Sequence, residues 1–144
     1  MDPSWTQSIH GPRKPADSAE IAAAITNSLG ADVLLNNTAN YFDGPSVAQG
    51  TSGTWWASGT VTLNDTAGNA NFLCKLWDGT TVIASAEDTK TTSQFGVIAL
   101  SGYLASPAAN IRISCKDGSL TSGKILFNAT GNSKDSTLSV HRIQ

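Results

Sequence analysis

Chemistry on a chain this small needs a nucleophile with a base, a pair of carboxylates or a cluster of metal ligands, and the candidates for each are few. The histidines are His10 and His141. His10 lies in a proline-bordered lead segment and His141 between Val140 and Arg142, and neither stands at ligand spacing from an Asp, a Cys or the other histidine. Cys74 and Cys115 make no CxxC and no Cys/His pattern. The carboxylates Asp43, Asp65, Asp78, Asp117 and Asp135 nearly all stand in turns beside Gly, Asn, Ser or Thr, where an acid caps backbone N–H groups. A calcium cage of Asp65, Asn69 and Asn71 has one charge among neutral amides and is weak. Glycine loops of the phosphate- and dinucleotide-binding kinds are missing. The expectation is a non-enzymatic protein with no catalytic residue, no metal and no cofactor.

Functional character rests instead with the aromatic residues. Indole faces stack on pyranose rings, and they also fill the dry centres of subunit interfaces. Around Trp55 and Trp56 the parity is clear. Trp55, Ala57, Gly59, Val61 and Leu63 share one face, and Trp56, Ser58, Thr60 and Thr62 share the other. Trp56 is thus a large ring on a hydroxyl face. In the following run Phe72, Cys74 and Leu76 point one way, while Leu73 and Trp77 flank Lys75 on the other. Apolar groups beside a lysine that must stay wet suggest a contact surface outside the core. Trp56, Leu73 and Trp77 are therefore the expected subunit contacts, with sugar stacking as the lesser use.

The elements that position these residues are strands. Residues 54–86 hold three alternating runs broken by Asn64-Asp65-Thr66-Ala67-Gly68-Asn69 and by Asp78-Gly79, the latter a strong two-residue hairpin signal. Before them, short strands are expected at residues 33–35 and from Tyr41-Phe42 to Val47, with Asp43-Gly44-Pro45 as a turn. After them come a polar loop at 87–94, strands at 95–104, 111–116 and 125–127, a polar loop at 131–135 and a closing strand at 137–143. About eight to ten short strands with turns every 8–12 residues favour an all-β antiparallel jelly-roll β-sandwich over residues 31–144. Cys74 and Cys115 both take core-facing parity, and buried free thiols are the expected state.

Two segments precede the sandwich. Residues 1–15 read as an extended attachment arm, with Trp5 and Ile9 as anchors, His10 beside them, and Arg13 and Lys14 held between Pro12 and Pro15. Residues 16–30 read as one short amphipathic helix: Asp17 and Glu20 form a capping box, Ile21, Ile25 and Leu29 share a face, and Gly30 ends it.

Composition narrows the partners. The 144 residues suit one domain, and the charged fraction of 14% is well under the usual quarter. With a net charge of -2 and cations scattered among acids, no field for nucleic acid is visible. The first residues lack the apolar core of a signal peptide, and no run approaches the ~20 apolar residues that cross a bilayer, so synthesis in a cytosol and no membrane partner are expected.

At GTWWASGTVTL, KLWDGTTVIASA, LSGYLASPAANIRISCKD and LFNATGNSKDSTLSVHRI the chain resembles minor structural proteins of tailed bacteriophages and prophages, whose domains look like jelly rolls of the tumour-necrosis-factor and complement-head type. The resemblance implies a tight homotrimer with aromatic and aliphatic residues of one sheet meeting round a threefold axis. It further implies a place on the capsid surface of a virion, as a decoration or cement protein bound to the phage major capsid protein. A head or tail fibre module that binds a host surface glycan is the alternative.

Overall fold

A strand with one apolar face must lay that face on a second layer, and this chain has enough such strands to supply both layers. The computed structural model describes residues 24–144. They form ten strands: β1 (Ala24–Ser28), β2 (Val33–Leu35), β3 (Phe42–Val47), β4 (Thr54–Asn64), β5 (Ala70–Trp77), β6 (Val82–Lys90), β7 (Gly96–Ala105), β8 (Ile111–Asp117), β9 (Gly123–Leu126) and β10 (Thr137–Arg142).

All pairing is antiparallel, in two sheets. In sheet one, β4 bonds β7 along one edge from Thr54↔Ala105 to Leu63↔Gly96. Its other edge is shared, with β10 opposite residues 55–60 and β9 opposite residues 62–64. The hand-over between the two is closed by Ser136, whose hydroxyl donates to Leu126 O (2.7 Å) and accepts from Thr62 N (3.2 Å). Outside these lie β1 on β10 and β2 on β9. Sheet two runs β3-β8-β5-β6. Laid on each other, β1-β10-β4-β7 and β3-β8-β5-β6 have the strand order of a jelly roll.

The core is the inward parity of both sheets: Ala57, Val61, Leu63, Leu138, Val140 and Ile125 from one, Phe72, Leu76, Ile111 and Ile113 from the other, all fully buried. The alternation read on residues 54–63 and 72–77 holds in full. Gly59 marks a close approach of the layers. A Cβ there would meet Ile113 Cδ1 at 2.7 Å and Thr137 O at 2.8 Å, so only glycine fits.

Several expectations are corrected. Residues 24–28 of the expected helix are strand β1, and residues 16–23 lie outside the described residues. The exposed edge of β10 offers unpaired N–H and C=O groups, and tertiary pairing overrides the local helical period. Short side chains complete the bond, with Thr26 Oγ1 to Ser139 Oγ and Ser28 Oγ to Thr137 Oγ1 both at 2.8 Å. The polar stretch from Glu87 to Lys90 is strand, because β5 pairs with it as far as Ala70↔Lys90. Asp43-Gly44-Pro45 is a bulge inside β3, where the register with β8 shifts. The Asp78-Gly79 hairpin has four residues between Trp77 and Val82, since Asp78 takes the loop-closing role itself.

Cys74 and Cys115 are directly opposite on β5 and β8, Cα–Cα 4.1 Å apart, and are joined as a disulfide in place of the expected thiols. Cross-strand partners with adjacent, inward Cβ atoms are held within bonding reach by the ladder. The bridge closes a sequence separation of 41. Reduction, or Cys74→Ala with Cys115→Ala, is expected to lower unfolding stability by about 3 kcal/mol, read as a shifted urea midpoint with and without reductant. No shift on reduction contradicts the bridge.

Asp78 is buried at 2% exposure, and its carboxylate accepts from the N–H groups of Thr80 (2.9 Å), Thr81 (2.6 Å) and Ala108 (2.7 Å). Burial alone raises its pKa, and the N–H groups outweigh burial, leaving it below the ordinary 3.8. A depressed folded pKa stabilises the fold above the unfolded value, and that contribution is lost as pH falls through the folded one. Asp78→Ala is therefore expected to cost about 3 kcal/mol at neutral pH, with the gap to wild type narrowing below about pH 3.8 in acid unfolding curves.

Candidate functional site

The sandwich has two outer faces, and they differ in chemistry. On sheet two, β5 turns Leu73, Lys75 and Trp77 outward, and β8 turns Arg112, Ser114 and Lys116 outward. Cations and rings stack in a ladder. Lys75 Nζ lies 3.5 Å from the Trp77 ring centre and 4.2 Å from that of Tyr41, Lys116 Nζ lies 5.0 Å from Tyr41, and Arg112 lies 5.6 Å from Trp77. The Trp77 N–H donates to Ser114 Oγ (2.8 Å), Ser114 donates to Asp43 Oδ1 (2.7 Å), and Arg112 bonds Asp43 Oδ2 (3.3 Å). Burial, with Lys116 nearby as the lesser cause, draws the Lys75 pKa down. Trp77 therefore has its N–H and a ring face engaged by its own chain. Leu73 borders a depression with Tyr41, Ser85, Ala86 and Glu87.

On sheet one the outward positions form rows across β7, β4, β10 and β1. The register sets Tyr103, Trp56 and His141 side by side, a row of three rings ending at Ala24. Next come Ser101, Ser58, Ser139 and Thr26, and then Ala99, Thr60, Thr137 and Ser28. No Asp, Glu, Lys or Arg stands in these three rows. Tyr103 is 66% exposed and its ring centre lies 6.3 Å from that of Trp56. Beyond the rows, Phe95 and Val97 are exposed and border a second depression with Thr62, Ala129 and Thr130.

The candidate contacts are thus split. Trp56 lies on sheet one and Leu73 and Trp77 on sheet two, so no single sheet face holds all three. Trp5, Ile9, His10, Arg13 and Lys14 lie outside the described residues. His141 is half-buried in the ring row. The calcium cage does not assemble: Asn69 Oδ1 accepts from Thr92 N, Asn71 Oδ1 from Thr89, and Asp65 turns to Ala67 N and Ser122. Among the described residues no three His, Cys, Asp or Glu side chains converge as metal ligands.

Sequence reading missed three features. Tyr103 completes the ring row, yet within an apolar run its outward parity becomes visible only once its register with β4 is known. Gln49 is buried and satisfies Ile111 N, Gly50 O and Ala109 O, a role for which local sequence has no signal. Asp65 and Asp117, far apart in the chain, are brought within hydrogen-bonding reach at one end of the sandwich.

No sequence-family model and no curated protein matches the chain. Solved structures do. The tumour necrosis factor Eiger of S. frugiperda superposes with a TM-score of 0.51 at 8% identity, over 84% of this chain and 92% of that one. A pentameric capsid protein isolated from metagenomic phage sequences gives 0.38 at 14% identity over 99% and 74%. The C-terminal CBM6 of LamC, a marine laminarinase of Zobellia galactanivorans, gives 0.38 at 8% over 83% and 100%. Structural neighbours thus include tumour-necrosis-factor-like, capsid and carbohydrate-binding proteins, and what the described residues share with Eiger is the fold, a jelly-roll sandwich.

Proposed function

We propose that this chain is a bacteriophage virion structural protein, a homotrimeric decoration or cement protein seated on the capsid surface. The observation that carries the reading is the uncharged stretch of sheet one's outer face over β7, β4, β10 and β1, where three rows of rings, hydroxyls and alanines hold no Asp, Glu, Lys or Arg. Interface centres are depleted of charge and enriched in Tyr and Trp, and such a face costs little to dehydrate. Three copies leaning this face towards a common axis bury Trp56 and Tyr103. Leu73 and Trp77 lie on the opposite sheet, Trp77 engaged there by Lys75, Arg112 and Ser114, and then face outward, so the proposal narrows the subunit contact to Trp56.

Attachment to the phage major capsid protein is assigned to Trp5, Ile9, His10, Arg13 and Lys14. The described chain begins at Ala24, opposite His141 at the end of the ring row. Contacts made only in the assembled shell stabilise it by mass action, and three linked arms multiply a modest single-arm affinity.

Ser58→Lys places a charge at the centre of the face. It is expected to convert trimers to folded monomers in light scattering, while Trp77→Ala leaves the trimer intact; a wild-type chain that stays monomeric at every concentration overturns the reading. Deleting residues 1–15 is expected to keep the trimer and to weaken particle binding by about 10²-fold or more in co-sedimentation.

A second reading, a fibre module that binds a host surface glycan, is favoured by the ring row alone, since adjacent aromatic faces bordered by hydroxyls suit a sugar. It is preferred if Tyr103→Ala abolishes host-cell binding without changing oligomeric state.

A further inference from the structure

At the end of the sandwich formed by residues 65–69, 91–95 and 118–122, two buried carboxyls meet. Asp65 is 1% exposed and Asp117 0%. Each closes a turn with one oxygen: Asp65 Oδ1 accepts from Ala67 N at 2.8 Å, and Asp117 Oδ1 from Ser119 N at 2.9 Å and Leu120 N at 3.2 Å. Ser122 donates to Asp65 at 2.9 and 3.0 Å. Asp117 Oδ2 is left buried with no donor of its own. Its surroundings are tight and apolar, for a Cβ on Gly123 would stand 2.9 Å from that oxygen and 3.2 Å from the Phe72 ring.

Two buried carboxylates brought together resist ionising together, and a proton between them satisfies the orphaned oxygen while removing the repulsion. We infer that Asp117 carries a proton in the folded chain and donates it to Asp65, so that this end of the sandwich is a site built to hold one proton. The remaining charges do not substitute for it. Asp88 and Lys90 of β6 lie across Phe72 and close on each other at 3.1 Å, while Lys116 of β8 and Lys124 of β9 take the outward parity of their strands. Burial, helped by Asp65, raises the Asp117 pKa against the pull of its turn N–H groups. Asp65 is lowered, its four hydrogen-bond partners outweighing burial. Two loops close on the carboxyls themselves, and the third reaches this end through the backbone, Ser93 N donating to the main-chain carbonyl of Asp65 at 2.7 Å.

The sign follows from linkage. A raised folded pKa gives stability that is complete below the ordinary aspartate value near 3.8 and is lost as pH rises through the folded value. Asp117→Asn, whose amide keeps both acceptor and donor, mimics the protonated acid. Melting temperatures of wild type and Asp117→Asn are measured from acid to alkaline pH. The variant is expected to gain on wild type by several degrees as pH rises; a difference that does not change with pH overturns the inference. Should the variant fail to fold, carbon-13 carboxyl titration of the wild type decides: one buried aspartate titrating above the ordinary value supports the proposal, and all at or below it overturns it. Calcium that restores wild-type melting at alkaline pH, without effect on Asp117→Asn, also overturns it, by placing a cation where the proton was assigned.

Discussion

Strand β4 is the constraint from which the rest follows. Both of its edges are paired, one by β7 and the other by β10 and β9 in succession with Ser136 bridging the hand-over. Its inward side chains are equally committed: Ala57, Val61 and Leu63 are fully buried, and Gly59 sits where a methyl group would collide with Ile113. A strand fixed on both edges and one face retains a single freedom, the chemistry of its outer side. In this chain that side is Trp56, Ser58, Thr60 and Thr62.

The contrast between the two sheets explains why one outer face is self-covered and the other is open. On sheet two the exposed rings alternate with Lys and Arg, long side chains whose stems lie along apolar surface while their cations stack on it. Trp77 is covered this way and tied by Ser114, so an aromatic residue on a wet face needs no partner. On sheet one the neighbours of Trp56 and Tyr103, apart from His141 at the end of their own row, are Ser, Thr and Ala, too short to cover a ring. Hydroxyls there bond each other across strands, as Thr26 does with Ser139, and leave the rings accessible.

These same facts set what was legible in sequence. Period-two alternation on residues 54–63, 72–77 and 111–115 identified the core faces, because a half-buried strand has no other way to satisfy its side chains. Asp65, Asp78, Asp117 and Asp135 were legible as turn caps from their Gly, Ser and Thr neighbours, whereas Asp43 pairs with Arg112 from within a strand. What depends on register was not legible. Trp77 looked like unpartnered surface because Ser114 and Arg112, which engage it from β8, and Tyr41, which shares Lys75 with it from ahead of β3, become neighbours only through register. Ile25 looked helical because local spacing is silent about the open edge of β10. Parity alone brought Cys74 and Cys115 to one interior, and register brought them face to face.

In the proposed assembly the two attachment modes differ in physical kind. The rows of sheet one lack fixed charge, so association through them owes little to electrostatic steering and is scarcely screened by salt; its strength lies in ring and methyl area removed from water. The first fifteen residues, by contrast, include Arg13 and Lys14 as well as Trp5 and Ile9, a mixture whose charged part weakens with ionic strength while its apolar part does not. Subunit cohesion and shell attachment thus respond to different solution conditions. A trimer that stays whole while its grip on a particle varies follows from having rings and hydroxyls in one place and cations in the other.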